Sequence, residues 1–130
     1  GLGHSVRLDT VQAEGCAPLA EAWGRATSID QPHRYWPQVM RPWPNPRSLA
    51  DGILDDETYD WIADFDAMVE SNGRPIVSSE ADIERAHRVA TAAGFRVSPT
   101  GSAGLAGVLT VADELHVHEH VVVVMSGVAR

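Results

Sequence analysis

Lysine is absent from this sequence: all ten basic residues are arginine. No side-chain amine is available to condense with a carbonyl group, which removes lysine-based covalent catalysis from this polypeptide by itself. Cysteine is almost absent too, since Cys16 stands alone. No intrachain disulfide can form, and nothing points to an oxidising compartment. Positive charge is scarce: ten arginines against eighteen Asp and Glu give a net charge of −8. That balance disfavours nucleic acid and an anionic membrane surface as partners. No apolar run approaches the length of a membrane span and the N-terminus lacks a signal-peptide pattern, so a cytoplasmic location is the expectation.

What is present suits one folded unit. At 130 residues, 44% hydrophobic and 22% charged, the chain is long enough for one real core and too short for two. Val6 to Ala13 carries enough β-branched and apolar residues for a strand. Glu14 and Gly15 turn the chain, and Pro18 opens a helix in which Leu19, Ala22, Trp23 and Ala26 recur at helical spacing. Strand, glycine turn and helix make half of a βαβ unit. Residues 30–47 hold prolines at 32, 37, 42, 44 and 46, a density that leaves no regular element. P-W-P-N-P within it could serve as a polyproline ligand, but Trp36 and Trp43 favour a loop pinned to the domain by aromatic anchors.

Asp55 to Asn72 predicts a helix, with acids in its first turn, a stripe of Trp61, Ile62, Phe65, Met68 and Val69, and a stop at Asn72-Gly73. Its acids read as a solvated face rather than a metal site. Pro75 to Val77 predicts a short strand. Ser79 and Asp82 form a capping-box variant before a helix that buries Ile83, Ala86, Val89, Ala90 and Ala93 and ends at Gly94. Val121 to Met125, V-V-V-V-M, reads as a strand covered on both faces. The expected fold class is therefore α/β, a parallel sheet covered by helices in an incomplete three-layer α/β/α arrangement.

Between the last two elements lies Ser98 to Gly107, S-P-T-G-S-A-G-L-A-G. It sets the Thr100 hydroxyl at the mouth of a helix of very small residues running to about Asp113. Each interior Gly costs a helix roughly 1 kcal/mol relative to Ala, so something must need the close approach. Taken alone, Thr100 caps that helix and the glycines allow tight packing on a sheet.

P-T-G-S-A-G-L-A-G also resembles the segment of fold-type II pyridoxal-phosphate (PLP) enzymes, the threonine synthase, threonine dehydratase and tryptophan synthase β group, in which a Ser or Thr after Pro hydrogen-bonds the cofactor's pyridine nitrogen. V-Q-A-E-G-C-A-P at Val11 to Pro18 resembles the strand-to-helix turn of threonine synthases. S-L-A-D-G-I at Ser48 to Ile53 resembles the loop near the cofactor, and V-S-S-E-A-D-I at Val77 to Ile83 resembles the opening of a following helix. The resemblance implies that residues 1–130 are a single C-terminal segment of a PLP-binding large domain, a truncation, split subunit or cleaved piece, with the Pro-rich loop 30–47 inside it. It implies PLP as cofactor in the complete enzyme, with Thr100 on the ring nitrogen and Asp51 and Gly52 on the substrate side. The Schiff-base lysine and phosphate-binding loop would come from the remainder of the enzyme or a complementary chain, the whole forming a homo-oligomer. Ser98 departs from the family, where an acid commonly precedes the Pro.

A neutral hydroxyl opposite the ring donates to an unprotonated nitrogen and leaves a weaker electron sink than an aspartate would. That suits elimination or replacement of a β-substituent on an amino acid. Conversion of O-phosphohomoserine to threonine is the leading expectation, a threonine or serine dehydratase or ammonia-lyase of the same fold the near rival. A non-catalytic α/β binding module is the reading from a different class. Two other constellations stand apart. His116, His118 and His120 would share one face of an extended segment and could bind Zn²⁺, or form a polar lead-in to the last strand. Cys16 lies beside a helix start, where a thiolate is stabilised, or else packs behind the turn.

Overall fold

Alternation of side chains along the strand Thr10–Ala13 (β1) sorts the molecule into layers. The structure, a computed structural model, describes residues 6–128. β1 pairs in parallel with Pro75–Ser78 (β2), in a register that sets Thr10 opposite Pro75 and Ala13 opposite Ser78. Val11 and Ala13 point to one face, where Ala13 joins Ala50, Ile83, Ala86 and Ala106 in an apolar cluster. Thr10 and Gln12 point to the other. There the Thr10 hydroxyl donates to Met68 Sδ at 3.4 Å, and Gln12 Oε1 accepts the Ala20 N–H at 3.0 Å. A two-residue period thus aims the strand at two different helical layers. The fold is α/β, with a two-stranded parallel sheet and helices.

On the Thr10 and Gln12 side lie Pro18–Ala26 (α1), Trp36–Val39 (α2) and Trp61–Ser71 (α3). Leu19, Ala22, Ala26, Val39, Met40, Trp61 and Met68 form their shared core. The Trp61 ring meets Trp36 edge-on at 5.3 Å. On the opposite side lie Glu80–Ala92 (α4) and Ala103–Thr110 (α5). Ser79 caps α4 by accepting the Asp82 N–H at 3.1 Å, and Gly94, at φ 92°, reverses the chain after it. That left-handed angle is where glycine is favoured.

Several boundaries differ from the sequence expectations for local reasons. The first strand begins at Thr10 rather than Val6, because Leu8 N–H goes to Ser71 Oγ and Asp9 takes the Arg74 N–H, so residues 6–9 have no ladder. The proline segment is not wholly irregular: Pro32 opens a 3-10 turn, Pro32–Tyr35, and Pro37 falls in the first turn of α2. Proline's missing N–H is harmless at both positions. Residues 55–60 do not extend α3, because the Asp55 carbonyl accepts the Cys16 thiol and the Asp56 carbonyl accepts the Trp43 N–H. Carbonyls turned toward distant partners are not aligned to close helical turns. Val69, Val89 and Ala93 are exposed rather than buried, and α5 stops at Thr110, with Ala112–Glu114 a separate 3-10 turn.

The largest correction concerns Val121 to Met125. No strand forms there, and Val122 and Val124 are 89% and 75% exposed. A strand needs a ladder partner, and among the described residues none lies alongside. The segment lies against α5 at Gly104 through Val123 and Val124, and its backbone bonds are at the end, where Ser126 N–H reaches Gly101 O and Ser98 N–H reaches Gly127 O at 3.2 Å.

Candidate functional site

The Ser98–Ser102 turn is rigid before it is anything else. Ser98 Oγ accepts the Gly101 N–H at 3.1 Å, Ser98 O accepts the Ser102 N–H at 3.1 Å, and Thr100 O accepts the Ala103 N–H at 3.2 Å. Ser102, not Thr100, occupies the cap position of α5, and its side chain does not cap that helix. The Thr100 hydroxyl is therefore free of the capping role and points elsewhere. The small residues have a structural use as well. A Cβ at Gly107 would overlap Val11 Cγ2, and one at Gly101 would overlap the Gly127 carbonyl. The close approach foreseen from the sequence is made by β1 and by residues 123–127.

Thr100 Oγ1 accepts the Gly52 N–H at 2.9 Å and donates to Asp51 Oδ1 at 3.4 Å. Asp51–Ile53 forms a 3-10 turn behind the fully buried Ala50. A Cβ at Gly52 would sit 2.9 Å from Thr100 Cγ2 and 3.0 Å from its Oγ1. Only glycine at 52 lets the two segments meet in this way. The same loop is tied to the strand ends: Leu49 N–H donates to Glu80 Oε2, and Glu80 N–H donates to Glu14 Oε1, each at 2.9 Å. All four stretches singled out in the sequence thus converge at the carboxyl ends of β1 and β2. In parallel α/β sheets ligands bind at that edge.

Beside Gly52 opens a cleft of about 370 Å³ whose lining includes Gln12, Ile53, Thr58, Asp55, Asp60 and Asp64. Gly52 faces both this cleft and Thr100, whereas Asp51 lies outside the cleft lining. Among the described residues no arginine or histidine lines it. Burial, and next the Asp60 charge, push the Asp64 carboxyl above the usual aspartate range. Gln12, Thr58 and Asp64 were not foreseen. They reach one cleft from β1, a loop and α3, and no local spacing announces such an encounter.

Cys16 is buried and its thiol donates to Asp55 O at 3.3 Å. Burial first, then Asp56 and Asp55, push its pKa up, so the thiolate-stabilising alternative is overturned and the packing alternative holds. His116, His118 and His120 are exposed. Glu119 N–H closes a turn onto His116 O at 2.9 Å, which breaks the extended run on which a shared imidazole face depends. Among the described residues no cluster of three His, Cys, Asp or Glu is placed to hold a metal ion.

The layering and the strand-edge loops define an α/β protein of the class in which a parallel sheet presents its site at the carboxyl ends of the strands. Within that class the fold is similar to the crystal structure of a threonine deaminase from T.th., with a TM-score of 0.65 and 22% sequence identity. The likeness covers 88% of this chain and 38% of that chain, and it is a likeness of fold. No family model and no curated protein sequence matches the chain.

Proposed function

We propose that this chain supplies the ring-nitrogen side of a PLP site in a fold-type II enzyme that acts on amino acids by elimination, a lyase of the threonine deaminase kind. One observation carries the reading: the Thr100 hydroxyl, fixed by Gly52 N–H and flanked by Asp51, stands where four family-like stretches meet. The donor set fits one part of the cofactor and not the whole. A positioned hydroxyl beside a carboxylate suits a pyridine nitrogen, while the absence of lysine leaves the covalent anchor to the remainder of the enzyme or a complementary chain.

PLP, when bound, supplies the electron sink for bond breaking next to the amino group. The residues of this chain orient and bind. Gly52 N–H fixes the rotamer of Thr100, Glu80 and Glu14 hold the 48–53 loop against the strand ends, and Ala50 anchors that loop in the core. The cleft next to Gly52 is lined by Asp55, Asp60 and Asp64, with no cationic side chain among the described residues. A phosphate-bearing substrate would be repelled there, which supports a dehydratase or ammonia-lyase over the O-phosphohomoserine reading.

Titration of the chain with pyridoxine 5′-phosphate, which has the ring and phosphate but no aldehyde, tests the proposal without any lysine. Saturable shifts of the Gly52, Thr100 and Gly101 amide resonances, lost in Thr100→Val, are the expected result. Absence of such shifts at millimolar ligand would favour the non-catalytic module. If the complete enzyme converts O-phosphohomoserine to threonine and leaves threonine and serine untouched, the lyase assignment falls.

A further inference from the structure

The ladder between β1 and β2 uses alternate residues of each strand. Thr10 N–H reaches Arg74 O and Glu14 N–H reaches Ser78 O, so in this register Thr10, Gln12 and Glu14 face β2, while Val11 and Ala13 turn their backbone groups to the other side. Ala13 O takes the Cys16 N–H at 2.9 Å, but the Val11 N–H and C=O meet no partner among the described residues. The outer edge of β2 differs, because Pro75 lies on it and has no N–H to offer. The edge that calls for another strand is that of β1. Thr10, Val11 and Gln12 all line the cleft beside Gly52, and consecutive residues on alternate faces do so where a cleft meets the strand along its backbone edge.

Helix α5 reaches across that edge. Thr110 bonds Ser78 of β2 at 2.9 Å, Gly107 meets Val11 of β1, and Gly104 meets Val123, so the order beneath the helix is β2, β1, segment 121–125. In that segment Val123 and Met125 are half-buried while Val122 and Val124 are exposed, the alternation of an extended chain with one face on a helix. Its end bonds Gly101 through Ser126 N–H, at the turn beside the carboxyl ends of the strands, so it runs in the same direction as β1. Gly104 and Gly107 are one helical turn apart, and their two contacts put Val11 and Val123 on the order of 10 Å from each other. Neighbouring strands stand about 4.8 Å apart. No ladder joins β1 to segment 121–125, and the separation is that of two strand spacings.

We infer that β1 and segment 121–125 are the walls of a slot one strand wide, which takes an extended, uncharged segment from the part of the fold that this chain does not span, hydrogen-bonded along both of its edges. The likeness to the threonine deaminase covers 38% of that chain, so a fold of this kind has further length from which to supply it. Valines on both walls leave a charge in the slot without a partner. A second copy fits less well, because its own segment is held by the Ser126 and Ser98 bonds and lies on Gly104, contacts it must give up in order to insert. The slot exists whether or not a cofactor binds beside Thr100.

The test is titration of the full ¹⁵N-labelled chain with the capped peptide Arg-Val-Ala-Val-Ala-Val-Arg, its arginines added for solubility. The amides of Val11 and of residues 122–124 are expected to shift together and saturably, with Val77 unmoved and hydrogen exchange at Val11 slowed about tenfold or more. Two further peptides of equal charge, one N-methylated at every valine and one at every alanine, separate a slot from a single edge. A strand with neighbours on both sides uses both sets of N–H groups, so each methylated peptide should bind about tenfold more weakly or worse. If either binds as well as the parent, pairing is one-sided and the slot is refuted. A response at Val77, a response of residues 122–124 without Val11, or none up to millimolar peptide also overturns it. Val11 exchange already slow in the chain alone, and faster on dilution, makes a second copy the occupant and overturns the assignment. None of these results touches the Thr100 site, which the pyridoxine 5′-phosphate titration decides separately.

Discussion

Thr100 and Gly52 meet across 48 residues of sequence, and the contact has a measurable mechanical value apart from any ligand. Thr100→Val keeps the shape but strands the Gly52 N–H, which is near enough to the surface to find water. A loss of about 0.5–1.5 kcal/mol in urea unfolding is expected, the range of a single replaced hydrogen bond, and no loss would mean the bond is not formed in solution. Asp64 gives a pH dependence of defined sign. Its carboxyl is raised by burial and then by Asp60, so the folded chain keeps a proton that the unfolded chain has already released. Stability contributed at this position therefore falls as pH rises from the ordinary aspartate value, about 4, through the raised one. Asp64→Asn should be more stable than wild type at neutral pH, with the gap closing in acid; urea midpoints across the pH range decide it. Thr100 stood out because proline and small residues constrain the backbone around it, and Asp51 and Gly52 only through the resemblance of their loop; that the three touch is visible in the structure alone. Asp64 looked like one more acid on a solvated helix face, and only packing leaves its carboxyl partly buried.

At the scale of elements, the tightest fit is α5 against β1. Gly107→Ala places a methyl on Val11 Cγ2 and should cost about 1–3 kcal/mol as an overpacking defect. Adding Val11→Ala should return part of that loss, and a fully additive double mutant would show that the two residues do not touch. The start of α4 is independent of this contact: Ser79→Ala removes the cap on Asp82 N–H, with about 1 kcal/mol expected by the same measurement. Elements with local punctuation, such as α1 after Pro18 and α4 between Ser79 and Gly94, could be read directly. Those decided by remote partners could not. The Cys16 thiol and Trp43 N–H take the carbonyls that would have started α3 at Asp55, and neither partner is visible from a window around residue 55.

For the molecule as a whole, the acidic charge and the exposed valines pull in opposite directions. Val117, Val122 and Val124 are 94%, 89% and 75% exposed, on a tail whose β-branched run was read as a buried strand. The residue pattern is that of a strand between helices; what the described residues do not provide is a ladder beside it. A contiguous apolar segment of this kind seeks a partner. Light scattering should find the isolated chain self-associated, and Val122→Glu with Val124→Glu should shift it toward monomer. A monodisperse wild-type monomer would show that the tail is already satisfied.

The β1 to β2 ladder joins residues 10–13 to 75–78 in parallel, with α1, α2 and α3 all strung between them. The chain must close that long excursion before the first interstrand bond can form, and the entropy of closure is lost before any reward arrives. The sheet is accordingly expected to zip up late, onto a helical crossover already assembled, and then lesions in the α1 and α3 core should slow renaturation while lesions in the ladder should mainly hasten unfolding.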